Sequence, residues 1–527
     1  MNRLADLISQ AGAQFAAREA LADPRTRMTF AEAEADSNRL ASALVRAFGL
    51  SKGERIAILL PNCIEFVLTD FALIKAGLIR VPVNPRYTAA EIEFILDHSG
   101  AAALVTCASF AESLAHIRGR LGALRILVTI DSLPGVTDAL NWKDVLAQGD
   151  PATFAVDTAS SDGYMLGYTS GTTGRPKGAL STVGARWATL FITFANEFIA
   201  TPDDVMLHVA SLAHGSGTKV LPIYVRGAKN LLLPKFSPFD FFQAVARDRV
   251  TVSWMVPTMV AMLADSPERS RFDFGSLSTI MYAGAPMPEP VMQRALAAFG
   301  PVFIQIYGLT EAPQPDLILS KQEHLPDPAS GRNARAGVTG RVAMGVQLKL
   351  VDGAGQPVKQ GEIGEIVIAG DHVMAGYWND PAATAETLRD GWCHTGDLAR
   401  MDREGFYTIV DRKKEMIISG GYNVYPREVE EVLYSHPAVV ECAVIGAPDP
   451  VWGETVCALI VVKPGAGLDA AAISAHCARA LASYKKPRRI TFLDALPKTA
   501  NGKIDKKALR AAYASPTPAA TTVDAMQ

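Results

Sequence analysis

Residues 168–178 read YTSGTTGRPKG. Glycines allow a backbone to turn so that its N–H groups point inward at an anion, and hydroxyl groups add further donors. Lys177 adds a positive charge, so this composition predicts a phosphate-binding loop; the alternative is a solvated linker between two elements. The loop is not of the Walker A type, because Gly178 rather than Ser or Thr follows the lysine. The alternating stretch that precedes it, 163–168, favours the functional interpretation.

The chain has 527 residues, which is too long for one hydrophobic core and predicts two or more domains. Hydrophobic residues make up 49% and charged residues 20%, as in ordinary globular proteins. A net charge of −3 gives no reason to expect a nucleic-acid partner. Six scattered cysteines without a CxxC pair suggest neither a disulfide framework nor a zinc site. Without a signal peptide or a long apolar run, the sequence predicts a cytoplasmic protein with no transmembrane segment.

Short apolar strands alternate with helices through the first 310 residues. Residues 2–50 are predicted to be mainly helical, with Thr29 and Glu32 forming a capping box at the start of one helix. The alternation predicts parallel β-α-β units with helices on both faces, and therefore an α/β fold. The predicted strands that carry motifs at their ends are 205–209, 250–256, 277–283 and 303–306.

Three further stretches carry chemistry. Tyr307 ends a predicted strand, where its ring can stack on a purine, and Thr310 can bond a phosphate oxygen. Glu311 can hold Mg²⁺, which favours oxygen ligands and is bound by nucleotide phosphates at the same time, although Glu311 can also be a helix cap. Asp397 in HTGDL follows the pattern of a carboxylate that accepts both ribose hydroxyls. Lys503 lies beside an Asn-Gly turn in PKTANGK, which presents it at a loop tip.

These motifs occur in one order, and with the loop at 168–178 they resemble the adenylate-forming superfamily from about residue 25 to 507. That superfamily includes acyl- and aryl-CoA ligases, adenylation domains of peptide synthetases and beetle luciferases. The chain is most similar to the acyl- and aryl-CoA synthetase branch. The resemblance implies a large N-terminal domain, 1–410, of parallel-rich βαβ sheets with a small β-barrel-like subdomain. It also implies a hinge at 411–414 and a small, mobile α+β domain at 415–513. The Ala/Pro/Thr-rich tail at 514–527 is predicted to be disordered.

The resemblance also implies roles for individual residues. Lys503, Glu311, Thr310 and His214 would be catalytic: Lys503 would reach the acid carboxylate and the α-phosphate, and His214 would lie beside the carboxylate. Glu311 and Thr172 would bind Mg²⁺, and Gly420 and Gly421 would border the pantetheine channel of CoA. The residues assigned to cofactor binding are Thr169, Ser170, Gly171, Thr172, Thr173, Gly174, Lys177, Gly284, Ala285, Pro286, Tyr307, Gly308, Asp397, Ile409, Arg412, Lys414, Gly420 and Gly421.

The implied reaction joins a carboxylic acid to CoA at the expense of ATP, through an acyl-adenylate. An apolar pocket without paired basic residues favours an aromatic or aliphatic monocarboxylic acid. The residues expected to line it are Trp187, Phe191, Trp254, Met255, Met281 and Tyr282. Two alternatives stay open: an adenylation enzyme that loads a carrier-protein thiol, and a nucleotide-binding regulator without turnover. The expected partners are the acid, ATP and CoA, and a homodimer is left open.

Overall fold

The computed structural model describes residues 1–169, 176–285, 287–326, 333, 335, 337–499 and 503–513. The tail at 514–527, for which disorder was predicted, lies outside these residues, as does most of the loop at 168–178. None of the helices in the described ranges combines the length and the apolar character needed to cross a bilayer.

The strands, numbered in chain order, are β1 Glu19–Ala22, β2 Arg27–Thr29, β3 Arg55–Ile58, β4 Ile79–Pro82, β5 Ala103–Thr106, β6 Ile126–Thr129, β7 Ala139–Asn141, β8 Gly163–Thr169, β9 Lys177–Thr182, β10 Val205–His208, β11 Lys229–Leu232, β12 Val252–Met255, β13 Thr279–Tyr282, β14 Phe303–Tyr307, β15 Leu317–Leu319, β16 Arg341–Val342, β17 Gln347–Val351, β18 Gly364–Ala369, β19 Gly376–Tyr377, β20 Leu388–Arg389, β21 Trp392–Met401, β22 Tyr407–Arg412, β23 Ile417–Ser419, β24 Tyr422–Val424, β25 Val439–Asp449, β26 Gly453–Val462 and β27 Arg489–Phe492.

The α-helices are α1 Arg3–Gln14, α2 Phe30–Ser42, α3 Ile64–Ala76, α4 Ala89–Ser99, α5 Ala111–Ile117, α6 Trp142–Ala147, α7 Val183–Asn196, α8 Val220–Val225, α9 Pro238–Asp248, α10 Pro257–Ala264, α11 Glu289–Phe299, α12 Pro381–Thr387, α13 Pro426–Tyr434, α14 Ala470–Ala478 and α15 Lys506–Tyr513. A π-helical turn, Ala43–Ala47, extends α2. Short 3-10 turns include Gly215–Lys219, which leads into α8.

Two sheets with parallel centres make up most of the large N-terminal region. The first sheet has the order β19-β9-β8-β4-β3-β5-β6-β7 and the second has the order β16-β15-β14-β13-β12-β10-β11-β1-β2. In the second sheet, β10 to β14 and β1 pair in parallel, so the ends of β10, β12, β13 and β14 meet at one edge. Ligands in sheets of this kind bind at the carboxyl edge of the strands, where the predicted motifs lie.

Two smaller sheets follow along the chain. Strands β17, β18, β20, β21 and β22 form an antiparallel sheet, which corresponds to the predicted barrel-like subdomain. Strands β23 to β27 form a separate sheet with its own core, against which α13 and α14 pack. The predicted fold class, α/β with a C-terminal α+β domain, is therefore confirmed.

The N-terminal helical prediction is only partly right. Thr29 and Glu32 do form the capping box of α2, but β1 and β2 lie between α1 and α2. Strand β1 pairs in parallel with β11, more than 200 residues away in the chain. A four-residue strand held by so distant a partner leaves little local pattern in the sequence, which explains the error.

Candidate active site

The hairpin of β8 and β9 carries the predicted phosphate-binding stretch, 168–178. Thr169 pairs directly with Lys177. Of the loop residues assigned to phosphate binding, Thr169 and Lys177 are described, whereas Ser170, Gly171, Thr172, Thr173 and Gly174 lie outside the described residues. The ammonium of Lys177 lies over the ring of Tyr377, 5.3 Å from its centroid.

Glu311 lies in the turn that follows β14. Its side chain is 9% exposed, and its Oε1 accepts a hydrogen bond of 2.7 Å from the hydroxyl of Tyr377. Tyr377 therefore contacts both Glu311 and Lys177, although no role was predicted for it from the sequence. Strand β19, which carries Tyr377, pairs with β9 and so places the ring there. The segment GYWND, 376–380, was visible in the sequence, but its pairing with β9 was not.

Thr310 lies against Gly167 of β8, where a larger residue would clash with the threonine side chain. A Cβ atom added to Gly167 would come within 2.7 Å of the Thr310 Cγ2. The glycine in β8 thus allows the turn after β14 to approach the hairpin, and it brings two of the predicted motifs into contact.

We expect Gly167→Ala to slow adenylate formation by about tenfold or more, because even a small displacement of a residue that positions the reacting groups is costly. The added methyl would push Thr310 away from the hairpin. Steady-state pyrophosphate release would measure the loss. Gly122→Ala is the matched control, since a Cβ there meets nothing within 4 Å. Equal activity of the two variants would contradict the role given to this contact.

Asp397 has both carboxylate oxygens engaged. The hydroxyl of Tyr307 donates to Oδ2 at 2.7 Å, and Nε of Arg412 donates to Oδ1 at 2.9 Å. The carboxylate is 4% exposed. Arg412 faces Asp397 because β21 and β22 pair these two residues directly. Burial and the neighbouring Asp397 charge raise the pKa of Tyr307, and Asp397 raises that of Arg412. Three predicted residues thus form one hydrogen-bonded group.

Lys503 reaches this group from the C-terminal domain. The backbone N–H of Thr499 donates to the carbonyl of Lys503 at 2.7 Å. A Cβ at Gly284 would lie 3.6 Å from the Lys503 Cε. Burial of the ammonium and, to a smaller extent, the charge of Arg412 lower the pKa of Lys503 to about 8, although the residue as a whole is exposed. The ammonium therefore lies at Gly284, where Arg412 and Asp397 act on it.

His214 precedes the 3-10 turn at 215–219 and also faces this cleft. Its Nε2 lies 2.9 Å from Nδ2 of Asn84, the residue that follows β4 by two positions. Burial, with a smaller contribution from the Lys503 charge, lowers the pKa of His214 to about 4. The imidazole is therefore neutral at neutral pH. Asn84 was not identified from the sequence, because a single Asn in a connecting segment gives no distinctive signal.

The predicted lining of the acid pocket is partly wrong. Successive residues of a strand point to opposite faces, so Trp254 and Met281 pack on one face of the second sheet, while Met255 and Tyr282 pack on the other. Trp254 lies on the His214 side, because a Cβ at Gly215 would come within 2.5 Å of its Cζ2.

The two aromatic residues of α7 are not placed with Trp254 either. Trp187 packs against the core of the first sheet. Phe191 is 50% exposed. Gln314 is a lining residue that the sequence analysis did not single out: its Nε2 would lie 2.9 Å from a Cβ at Gly215.

The remaining predicted residues lie in two places. Gly284, Ala285 and Gly308 border the cleft at the ends of β13 and β14, and Pro286 lies outside the described residues. Ile409 and Lys414 flank Arg412 along the chain, with Ile409 in β22 and Lys414 just past its end.

Gly420 and Gly421 form the tip of the β23–β24 hairpin on the C-terminal domain, both with positive φ. Next to the tip, Tyr422 is 59% exposed and stacks on Tyr484 at 4.7 Å.

Comparison with known proteins gives a consistent result. The profile of AMP-binding enzymes matches residues 8–378, and that of the AMP-binding enzyme C-terminal domain matches residues 428–503. The chain is 39% identical to a feruloyl-CoA synthase of Amycolatopsis sp over 489 residues, which cover 92% of this chain and 94% of the relative. It is 35% identical to a medium/long-chain fatty-acid–CoA ligase of Mycobacterium tuberculosis, with 89% and 82% coverage. Its fold is similar to that of an anthranilate CoA ligase solved with anthranoyl-AMP, with a TM-score of 0.86, 29% identity, and coverage of 97% and 96%.

Proposed function

Because this chain belongs to the family of AMP-binding enzymes, we propose that it is an ATP-dependent carboxylate–CoA ligase that works through an acyl-adenylate. One observation carries the proposal: Lys503, from the C-terminal domain, lies in the same cleft as Asp397, Arg412 and His214. A cation that comes from a second domain and lies beside a carboxylate suited to bind ribose fits the chemistry of adenylate formation. The relatives named above are ligases of the same general kind.

In the first step, a carboxylate oxygen of the acid attacks the α-phosphorus of ATP in line, and the bond to the β-phosphate oxygen breaks. Pyrophosphate leaves and the acyl-adenylate remains. The protein positions the groups and balances negative charge, which is the usual requirement of phosphoryl and nucleotidyl transfer. Asp397 holds the ribose, Thr310 and the 168–178 loop hold phosphate oxygens, and Lys503 bridges the carboxylate and the α-phosphate.

Glu311 fits a magnesium site. Its carboxylate is fixed by Tyr377 and lies beside Thr310 and the hairpin. Mg²⁺ is commonly bound by one or two carboxylates together with nucleotide phosphates, and it neutralises their charge. Thr172, the second proposed ligand, lies outside the described residues.

In the second step, the CoA thiolate attacks the carbonyl carbon of the acyl-adenylate, and AMP leaves. We propose that residues 415–513 rotate about a hinge at 411–414 between the two steps, within a larger domain at 1–410. Rotation would withdraw Lys503 and bring the hairpin of Gly420 and Gly421 to the cleft. Two observations suit this face to the nucleotide end of CoA: the stacking of exposed Tyr422 on half-buried Tyr484, and the cation of Arg488 over Trp452, 4.2 Å from its ring centroid.

The acid we propose is an aromatic or a medium-to-long aliphatic monocarboxylic acid. Trp254 and Met281 give the cleft an apolar wall, and Gln314 adds an amide beside His214. Both acid classes occur among the relatives, whose names specify ferulate and fatty acids.

The experiment is pyrophosphate release across benzoic, phenylpropanoid and C4–C16 fatty acids, with CoA present and CoA thioesters measured in parallel. The proposal requires pyrophosphate, AMP and a CoA thioester in equal amounts with at least one acid. Pyrophosphate without CoA consumption would favour a carrier protein as the acceptor. Absence of pyrophosphate with every acid would favour a regulator that binds nucleotide without turnover.

The rate of adenylation should fall as pH rises through about 8. The reason is that Lys503 must carry its proton to stabilise the developing charge, and its pKa is lowered to about 8. The quantity to measure is kcat/KM for ATP between pH 6 and 10, since it reports on the free enzyme. Lys503→Arg should move the decline to higher pH, because a guanidinium stays charged. A flat profile up to pH 10 would contradict this assignment.

A further inference from the structure

We propose that Asn84 is a positioning residue for His214: it holds the imidazole in the tautomer protonated on Nδ1, which determines the nitrogen that can donate to the acid. The inference rests on the proposed ligase function, because that function places a carboxylate beside His214. The tautomer itself is a property of the protein without substrates.

The orientation of the Asn84 side chain follows from its second contact. Asn84 is 2% exposed, and its Oδ1 accepts a hydrogen bond of 2.9 Å from the backbone N–H of Arg86. Exchanging the amide oxygen and nitrogen would replace this bond with two donors facing each other. The NH₂ group is therefore the part that faces Nε2 of His214 at 2.9 Å.

The tautomer follows from that orientation. An amide NH₂ can only donate, so Nε2 of His214 must accept. A neutral imidazole carries one proton, and the proton must then be on Nδ1. His214 is neutral because burial lowers its pKa, and the nearby ammonium of Lys503 acts in the same direction. A ring in the opposite tautomer would present a lone pair on Nδ1, which repels a carboxylate.

The loop that carries His214 is fixed by contacts that do not involve Asn84. The Asn62 side chain donates to the carbonyl of His208 at the end of β10 and to that of Ala210 in the loop, and it accepts from the N–H of Leu212 at 2.9 Å. Beneath the loop, buried His208 lies 2.9 Å from the Ser216 Oγ and 2.8 Å from the Asn230 Oδ1. Since these contacts hold the backbone, a change at Asn84 should affect the His214 ring rather than the path of the loop.

The test is the tautomer of His214, read from long-range proton–nitrogen NMR spectra of full-length protein labelled with ¹⁵N-histidine. The His214 signals are assigned by their loss in His214→Ala. The wild-type protein should show Nδ1–H with an acceptor Nε2. Asn84→Asp places a carboxylate against Nε2 and should give a ring protonated on Nε2. An Nε2–H tautomer in the wild type, or an unchanged tautomer in Asn84→Asp, would overturn the proposal.

Activity provides the second measurement. Asn84→Asp should lower kcat for adenylation by about 10- to 100-fold, the range for loss of one oriented proton donor, with KM for ATP unchanged. Asn141→Asp, an exposed helix cap where Asp serves as well as Asn, is the matched control. Failure of every acid to release pyrophosphate from the wild-type protein would refute the ligase function, whereas the NMR result would still decide the tautomer.

Discussion

Lys503→Ala should slow acyl-adenylate formation by about 10²- to 10³-fold, the usual cost of removing one preorganised charge-stabilising donor. Transfer to CoA from supplied acyl-AMP should stay within about twofold of wild type, because the proposed rotation withdraws this residue before the second step. The two half-reactions can be measured separately, by pyrophosphate release without CoA and by thioester formation from the synthetic adenylate.

Lys498→Ala is the control for this prediction. Lys498 is close to Lys503 in the chain, and its backbone pairs with that of Ile504, but its ammonium pairs with Glu441 rather than with Asp397. Loss of a surface ion pair of this kind has little effect on stability. Equal loss of both half-reactions in Lys503→Ala would show that Lys503 does not act in adenylation alone, and full adenylation would refute its assignment.

Glu311→Gln should reduce adenylation by about 10²-fold or more, since it removes a negative ligand of the metal from a site where charge balance dominates the rate. The amide oxygen can still accept from the Tyr377 hydroxyl, so the fold of the turn should be kept. The Mg²⁺ concentration that gives half-maximal rate should rise. Both quantities follow from pyrophosphate release at a series of Mg²⁺ concentrations.

Glu362→Gln is the matched control, because Glu362 is exposed and its carboxylate accepts from the backbone N–H of Lys359. An unchanged Mg²⁺ requirement in Glu311→Gln would mean that Glu311 serves another purpose. Thermal unfolding of both variants would separate a metal effect from a loss of folded protein.

The sequence predicted those parts of the site that consist of contiguous motifs. Tyr307, Asp397 and Lys503 each belong to a short run whose composition indicates its chemistry. The structure brings all three into one cleft. Their roles in binding and catalysis stay predictions.

Residues that act through pairing across the fold were missed. The position of Tyr377 depends on the pairing of β19 with β9, and the contact of Asn84 with His214 depends on how the two large sheets meet. The pocket lining was partly wrong for a related reason: a strand buried on both faces has no alternation to show which side faces the ligand. Met255 was therefore assigned to the same face as Trp254.

Each carboxylate oxygen of Asp397 already accepts one hydrogen bond, Oδ2 from Tyr307 and Oδ1 from Arg412. Each oxygen keeps a second lone pair, so an arriving ribose binds beside these partners and shares the same carboxylate charge with Arg412. Arg412 is the last residue of β22 and lies within the proposed hinge at 411–414. Because Arg412 would share the Asp397 carboxylate with the sugar and belongs to the proposed hinge, we expect nucleotide binding and the orientation of the C-terminal domain to be linked thermodynamically, and a nucleotide lacking the 2′-hydroxyl should weaken that linkage as well as its own affinity.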